Sequence, residues 1–218
     1  MKIISVNVGL PRLLAGQGTT FKTGIFKSPV HGPVIVRTTN LDGDRQADLT
    51  VHGGPNKAVY AYPSEHYPDW QTELQDSNLP WGSFGENLTT EGLIEAEVFI
   101  GDRYRIGSAT LKVTTPRLPC FKLAAKFKRE DIIKRFVQNG RSGFYFSVLE
   151  KGEVAAGAEI TLIGRETQTL SVADVNRLYT SASPDAETLK RSLEIQSLPQ
   201  SWRDRFRARL GEIESSAR

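Results

Sequence analysis

Apolar and polar residues alternate in short runs along most of the chain, and glycines interrupt the runs at close intervals. The opening, MKIISVNVGL, puts Ile4, Val6, Val8 and Leu10 on one face, which is the period of a strand rather than of a signal peptide. The same β-type pattern returns in VIVRTT (34–39), EVFIGDRYRIG (97–107), ATLKVTT (109–115), FYFSVL (144–149) and EITLIG (159–164). Short strands with frequent turns predict a β-barrel or sandwich. Tight glycine turns are expected within GDRYRIGSATLKV, and VLEKGEVAAGAEITL reads as a hairpin that closes the sheet.

Helical spacing replaces this pattern in two places. From Pro63 and Ser64 onward, Tyr67, Trp70 and Leu74 form one apolar stripe. From about Arg129 to Gln138, Ile132, Ile133, Phe136 and Val137 share a face, and Gly140 is a plausible stop. Beyond residue 166 the signal is helical throughout. Ser171 with Asp174 resembles a capping box, Ser183-Pro184 opens a second helix, and Pro199 to Trp202 open a third. Leu178, Leu189, Ile195, Leu198, Trp202, Phe206 and Leu210 supply their apolar faces. The reading is therefore mainly β with α: residues 1–166 as a β-barrel domain, and 167–218 as a small domain of three short helices. So small a bundle is marginal alone and is expected to pack on the barrel.

Composition narrows the function classes. The 218 residues carry 28 basic and 25 acidic side chains, a net +3 spread along the chain. That favours small anionic ligands as much as nucleic acid. No run of about 18 apolar residues suggests a transmembrane helix. One cysteine cannot form an internal disulfide, which agrees with a reducing, cytoplasmic setting. The three histidines, 31, 52 and 66, lack zinc-site spacing.

Four stretches hold more polar residues and glycines than packing requires. In DGDRQADLTVHGGPNKAVYAYP (42–63), His52-Gly53-Gly54 is followed by Pro55, Asn56 and Lys57. Such a loop can aim backbone N–H groups, an imidazole and an ammonium at a ligand; it also fits a plain hairpin loop. In GSFGENL (82–88), Gly82 and Gly85 flank Phe84, and Asn87 can hydrogen-bond a heterocycle edge or simply make an Asx turn. In TTPRLPCFKL (114–123), Pro116 and Pro119 stiffen the backbone around Cys120, with Arg117 and Lys122 close in sequence. A thiolate there would bind a soft metal or attack an electrophile; a buried structural cysteine is the plain alternative. GRSGFYFSVLEKGEV (140–154) is a flexible basic entry into a strand.

Taken in order, these stretches resemble the MOSC domain, closest to its YiiM-like branch. The likeness rests on GDRQADLTVHGG, YAYP, FGENL, GD followed by IG, PRLPC, and the glycine-flanked strand GFYFSVL. It covers nearly the whole barrel region, and the helical tail resembles the small domain that follows MOSC in that branch. The resemblance implies a MOSC β-barrel of the pyruvate-kinase-barrel-like kind and a molybdopterin-type molybdenum cofactor. Cys120 would be the metal ligand and a catalytic residue, with His52 delivering protons. Gly53, Gly54, Asn56, Lys57, Gly85, Asn87 and Arg117 would bind the cofactor, Asn87 through the pterin. The implied activity is reduction of N-hydroxylated bases, such as 6-N-hydroxylaminopurine, and related N-hydroxyl compounds to amines. Electrons would come from an NAD(P)H-dependent flavoprotein reductase, because no G-x-G-x-x-G follows a strand here. The family often has Gln-Pro-Arg where this chain has Thr115-Pro116-Arg117, which puts one side-chain contact in doubt.

Two other readings compete. Cys120 would serve a molybdenum-cofactor or sulfur carrier that lacks reductase turnover. Alternatively, WRDRFRAR (202–209) would make the tail a nucleic-acid module, but Arg203, Arg205, Arg207 and Arg209 spread around a helix and argue against it. A homodimer is compatible with the sequence.

Overall fold

The computed structural model describes residues 1–16, 19–47 and 53–216. Its strands begin with β1 (Lys2–Val8), β2 (Arg12–Gly16), β3 (Thr19–Thr23), β4 (Ser28–Pro29), β5 (Val34–Val36) and β6 (Val59–Pro63). They continue with β7 (Leu88–Glu91), β8 (Arg103–Ile106), β9 (Ala109–Pro116), β10 (Phe144–Glu150), β11 (Gly152–Val154) and β12 (Ile160–Gly164). The helices are α1 (Tyr67–Leu74), α2 (Phe121–Phe127), α3 (Ile132–Asn139), α4 (Val172–Thr180), α5 (Ala186–Leu193) and α6 (Gln200–Ser216).

The main sheet runs β12-β8-β9-β10-β6-β7-β1-β4. β6 and β7 are parallel, and the other neighbours pair antiparallel. The sheet closes into a barrel where the chain's first residues meet residues 157–160. Ile160 N donates to Met1 O at 2.9 Å, Ile3 N to Ala158 O at 2.9 Å, and Gly157 N to Ile3 O at 2.8 Å. Closure is therefore made against β1. The expected hairpin over VLEKGEVAAGAEITL does not form: β10 pairs with β6 and β9, β11 with β5, and β12 with β8.

The interior is built from side chains that alternation only partly foretold. A register shift between Ile3 and Ser5 against β7 puts Ile3 and Val6 in the core, while Leu10 is 65% exposed. A bulge breaks the two-residue period, so the strict Ile4-Val6-Val8-Leu10 face is not kept. The run 97–107 also splits. Gly101 sits at φ 88, outside the strand region, and only Arg103–Ile106 extends. Each large apolar side chain fully withdrawn from water contributes about 1.5–3 kcal/mol, so Val98 and Ile100 stay buried within turns.

α1 and α3 bring Tyr67, Trp70, Ile132 and Phe136 into an aromatic cluster with Tyr62 and Phe84. α3 begins at Ile132, three residues later than the spacing around Arg129 suggests, and ends at Gly140 in the left-handed conformation. α2 was not foreseen; PRLPCFKL reads as loop, yet Leu123 and Ala124 are buried against the aromatic cluster and hold a helical turn there.

The C-terminal helices pack on the barrel. Val172 N donates to Val98 O at 2.8 Å and Ile100 N to Leu170 O at 3.0 Å. Leu178, Leu189, Ile195, Leu198, Trp202, Phe206 and Leu210 belong to the same core as Val98 and Ile100. The Ser171–Asp174 capping box forms, with Asp174 N donating to Ser171 Oγ at 3.0 Å. α5 is capped by Asp185, which accepts from Thr188 N at 2.7 Å, rather than by Ser183. Pro184 lies outside the helix. α6, with 17 residues, is a long helix where a short one was expected.

Candidate active site

Cys120 occupies the corner between β9 and α2. Pro116 and Pro119 fix their own φ and disfavour helical backbone just before them, so the corner stays open until Cys120 (φ −135, ψ 171) gives way to α2. Arg117 N donates to Gly143 O at 3.2 Å and ties the corner to the start of β10. The half-buried thiol lines a cleft of about 670 Å³, part of it continuous with solvent.

The cleft is cationic. Lys27, Arg45, Lys57, Arg117 and Lys122 line it, and no carboxylate among the described residues does. Arg117 is 5% exposed. Its guanidinium lies 5.4 Å from the Tyr60 ring centroid and 5.0 Å from that of Phe136, and its Nη1 has no hydrogen-bond partner. A buried cationic donor left unpaired costs several kcal/mol, a cost that an anionic ligand would offset.

Two supports place the other cations. Thr114 Oγ1 lies 2.6 Å from Asn56 O and 3.0 Å from Tyr145 O, which pins the turn Pro55–Lys57 to β9 and aims Lys57 at the cleft. Burial lowers the Lys57 ammonium below its ordinary pKa. Lys27 pairs with Asp44 at 2.5 Å, both side chains nearly inaccessible. Burial pulls the Lys27 pKa down and Asp44 opposes it. Asp44 also accepts from Gly9 N at 3.0 Å and Asn87 Nδ2 at 2.9 Å, while Asn87 Oδ1 accepts from Tyr60 N at 3.1 Å. One buried carboxylate thus joins the exit of β1, the Lys27 segment and the start of β7.

The loop 82–87 is shaped by Glu86, which accepts from Gly82 N at 2.7 Å, Phe84 N at 3.1 Å, Tyr67 OH at 2.5 Å and Thr89 OH at 3.0 Å. Gly85, at φ 84, presents bare backbone to the cleft, and a Cβ there would stand 2.9 Å from Ile25 Cγ1. Lys126 sits behind this loop and donates to Gly82 O at 3.0 Å and Ile25 O at 3.2 Å. Burial pushes its pKa down to about 8, against the pull of Glu86.

Cys120, Lys57, Leu118 and Tyr145 also line a second cleft, whose far wall is Tyr179, Ser201, Trp202 and Arg205 from the helical tail. The thiol stands where the two spaces meet. Burial raises the Tyr145 phenol above its ordinary value, with the Arg117 charge pulling the other way.

The structure brings Lys57, Gly85, Asn87, Arg117 and Cys120 together in the cationic cleft. Gly53, Gly54 and Asn56 do not line it: Asn56 is exposed and contributes its carbonyl to Thr114, and Gly54 (φ 85) has open space around it. His52 lies outside the described residues. Both donors of Asn87 are directed within the protein, to Asp44 and to Asn7 O at 3.4 Å, so this side chain holds the wall. Sequence reasoning missed Lys27, Arg45, Tyr60 and Tyr145 as lining residues. Arg45, Tyr60 and Tyr145 lie within GDRQADLTVHGG, YAYP and GFYFSVL, stretches that were conspicuous without a role for those residues. Lys27 carries no sequence signal. Among the described residues no three His, Cys, Asp or Glu side chains gather as a metal site.

Residues 48–161 match the MOSC domain, and residues 170–211 match the YiiM-like 3-alpha helix domain. The chain is 42% identical over 204 residues to the uncharacterized protein YflK of Bacillus subtilis (strain 168), covering 94% of this chain and 92% of that one. A Gibberella moniliformis (strain M3125 / FGSC 7600) protein named "Reductase" is 37% identical over 164 residues, which make up 74% of this chain and 29% of that protein. The crystal structure of YiiM from Geobacillus stearothermophilus aligns with a TM-score of 0.78 at 37% identity, over 96% of this chain and 98% of that one.

Proposed function

This chain belongs to the MOSC family, in its YiiM-like branch, and from that premise we propose that it is a molybdenum-cofactor-dependent oxidoreductase reducing N-hydroxylated bases and related N-hydroxyl compounds to amines. The supporting observation is the meeting of the chain's one thiol with a buried guanidinium, one of whose nitrogens has no hydrogen-bond partner, in a cleft lined by cations. That combination suits a cofactor with an anionic tail and a metal that takes a sulfur ligand.

Cys120 would ligate the metal. Arg117, Lys57, Lys27 and Arg45 would hold the anionic tail, and the bare backbone at Gly85 admits a flat ring close to the wall. When bound, the cofactor supplies two-electron chemistry and oxygen acceptance that side chains lack. The net reaction is R–NHOH + 2 H⁺ + 2 e⁻ → R–NH₂ + H₂O: the N–O bond breaks and the oxygen leaves as water. Lys57 and Tyr145 face the junction at the thiol and are placed to give protons there. Burial makes the Lys57 ammonium a readier donor and keeps the Tyr145 phenol protonated. His52 would share this role.

Electrons would come from a separate NAD(P)H-dependent flavoprotein reductase. The relative named a reductase has most of its length outside the matching segment, room for an electron-donating module. No helix of the described residues is long and apolar enough to cross a membrane, and a solitary thiol is suited to the reducing cytoplasm where we place the activity.

The test is purification from a molybdenum-replete host, with metal per chain and turnover of 6-N-hydroxylaminopurine measured under a chemical reductant. Cys120→Ala is expected to lose bound molybdenum and to cut turnover by on the order of a thousandfold. Full metal and full turnover in that variant would remove Cys120 from the mechanism.

A further inference from the structure

We infer that the C-terminal helical domain forms the substrate wall of the active site and that its aromatic face selects planar aromatic or heteroaromatic N-hydroxyl compounds over small aliphatic ones. The inference rests on the reading of the cationic cleft as the cofactor's and deepens it. Two spaces meet at Cys120, and they differ in chemistry. The first is lined by five cations and suits an anion. The second has a single cation from the helices, Arg205, and three aromatic rings: Tyr145 from the barrel, with Tyr179 and Trp202 opposite.

The helical side is built for a flat ligand. The Tyr179 and Trp202 ring centroids are 4.9 Å apart, and Trp202 is held in turn by Phe206 at 5.9 Å, so the aromatic wall is fixed by the core behind it. Trp202 is only 8% exposed, yet it lines the cleft. Arg205 lies over the Tyr179 ring at 4.1 Å. Its fork of donors stands at the rim, where ring nitrogens or a carbonyl of a heterocycle can accept. Pro116 and Pro119 make the floor a rigid apolar surface beside the thiol. A planar ring laid between Tyr145 and the Tyr179–Trp202 pair would present an exocyclic N–O group to the junction, where Cys120, Lys57 and Tyr145 converge. Stacking on aromatic side chains tolerates any flat ring and gives little to a small aliphatic molecule.

The inference predicts a split that a merely structural role for the helices would not produce. Trp202→Leu and, as a milder change, Tyr179→Ala should raise KM for 6-N-hydroxylaminopurine on the order of tenfold more than KM for N-methylhydroxylamine. Molybdenum per chain should stay at the wild-type value. Arg207→Ala, on the outer face of α6 where Arg207 pairs with Asp204, is the control and should change nothing. A second readout needs no turnover: adenine titrated into cofactor-free protein by calorimetry should bind to wild type and bind on the order of tenfold more weakly to Tyr179→Ala. Equal changes in KM for both substrates, or adenine affinity untouched by either substitution, would overturn the substrate wall. If wild type reduces no N-hydroxyl compound yet adenine binding still depends on Tyr179 and Trp202, the aromatic subsite stands and the reductase reading fails.

Discussion

Two groups of cations in this protein look alike in composition and do opposite things. The arginines of α6 form the densest basic cluster in the sequence, and all but Arg205, which lines the second cleft, are spent locally. Arg207 pairs with Asp204 at 2.8 Å. Arg203 donates to Gln200 at 2.7 Å. Arg209 caps the end of α4, donating to Leu178 O at 2.8 Å and Ser181 O at 2.5 Å. Arg205 lies over Tyr179. The cleft cations come from three separate segments: Lys27, Arg45 with Lys57 in the stretch 42–63, and Arg117 with Lys122 in 114–123, which converge only in the fold. Arg117 is buried with an unpartnered Nη1, and Lys57 and Lys126 have their pKa values lowered by burial. Charge density along a chain therefore says little about binding. What distinguishes the cleft is charge kept from water, with one Arg117 nitrogen unsatisfied, because such a donor has interaction energy left to give.

Substitutions in the two groups should separate stability from binding. Arg117→Met has the largest expected effect. Affinity for sulfate, a stand-in for an anionic group, should fall about 10- to 100-fold, since a charge-assisted hydrogen bond contributes about 1.5–3 kcal/mol. Thermal stability should hold or rise, because the variant removes a buried charge and keeps an apolar stem. Calorimetry and a melting curve together check it; weaker stability with unchanged sulfate binding would reverse the comparison. Arg209→Gln should do the converse. Losing its bonds to the α4 carbonyls should cost about 1–2 kcal/mol and lower Tm by about 2–8 °C, with sulfate affinity unchanged. The smallest effect is in pH. Lys126 has a pKa of about 8 in the folded protein, below its ordinary value, so it is charged below that pH and neutral above it. Sulfate keeps its own charge across this range, so its affinity should drop about two- to threefold as pH rises from 7 to 9, a screened interaction at a distance. Lys126→Met should flatten the profile.

Much of the barrel could be read from the residues. β9, β10 and β12 lie where alternation and β-branched side chains put them, and the apolar residues assigned to the helical tail are buried. The misses have local causes. β1 carries a bulge, which no period-two pattern reports. α2 is held by Leu123 and Ala124 against aromatics distant in sequence, so its short stretch has no helical signature of its own. At the site, Cys120, Arg117 and Lys57 were legible because prolines and glycines set them apart from packing residues. Lys27 was not, because only the buried Asp44 brings it to the cleft. Asn87 was legible as a conspicuous polar residue, but the direction of its carboxamide depends on Asp44 and Tyr60, partners fixed by tertiary structure.

The seam between the first residues and 157–160 has a consequence for biosynthesis. On the ribosome, the cysteine emerges well before the segment that zips the sheet shut. Until residues 157–160 reach Met1 and Ile3, the nascent polypeptide carries its thiol on an unsealed scaffold. On the proposed reading, loading of a cofactor would wait until residues 157–160 have been made and paired, and products cut short before them would be unable to retain it.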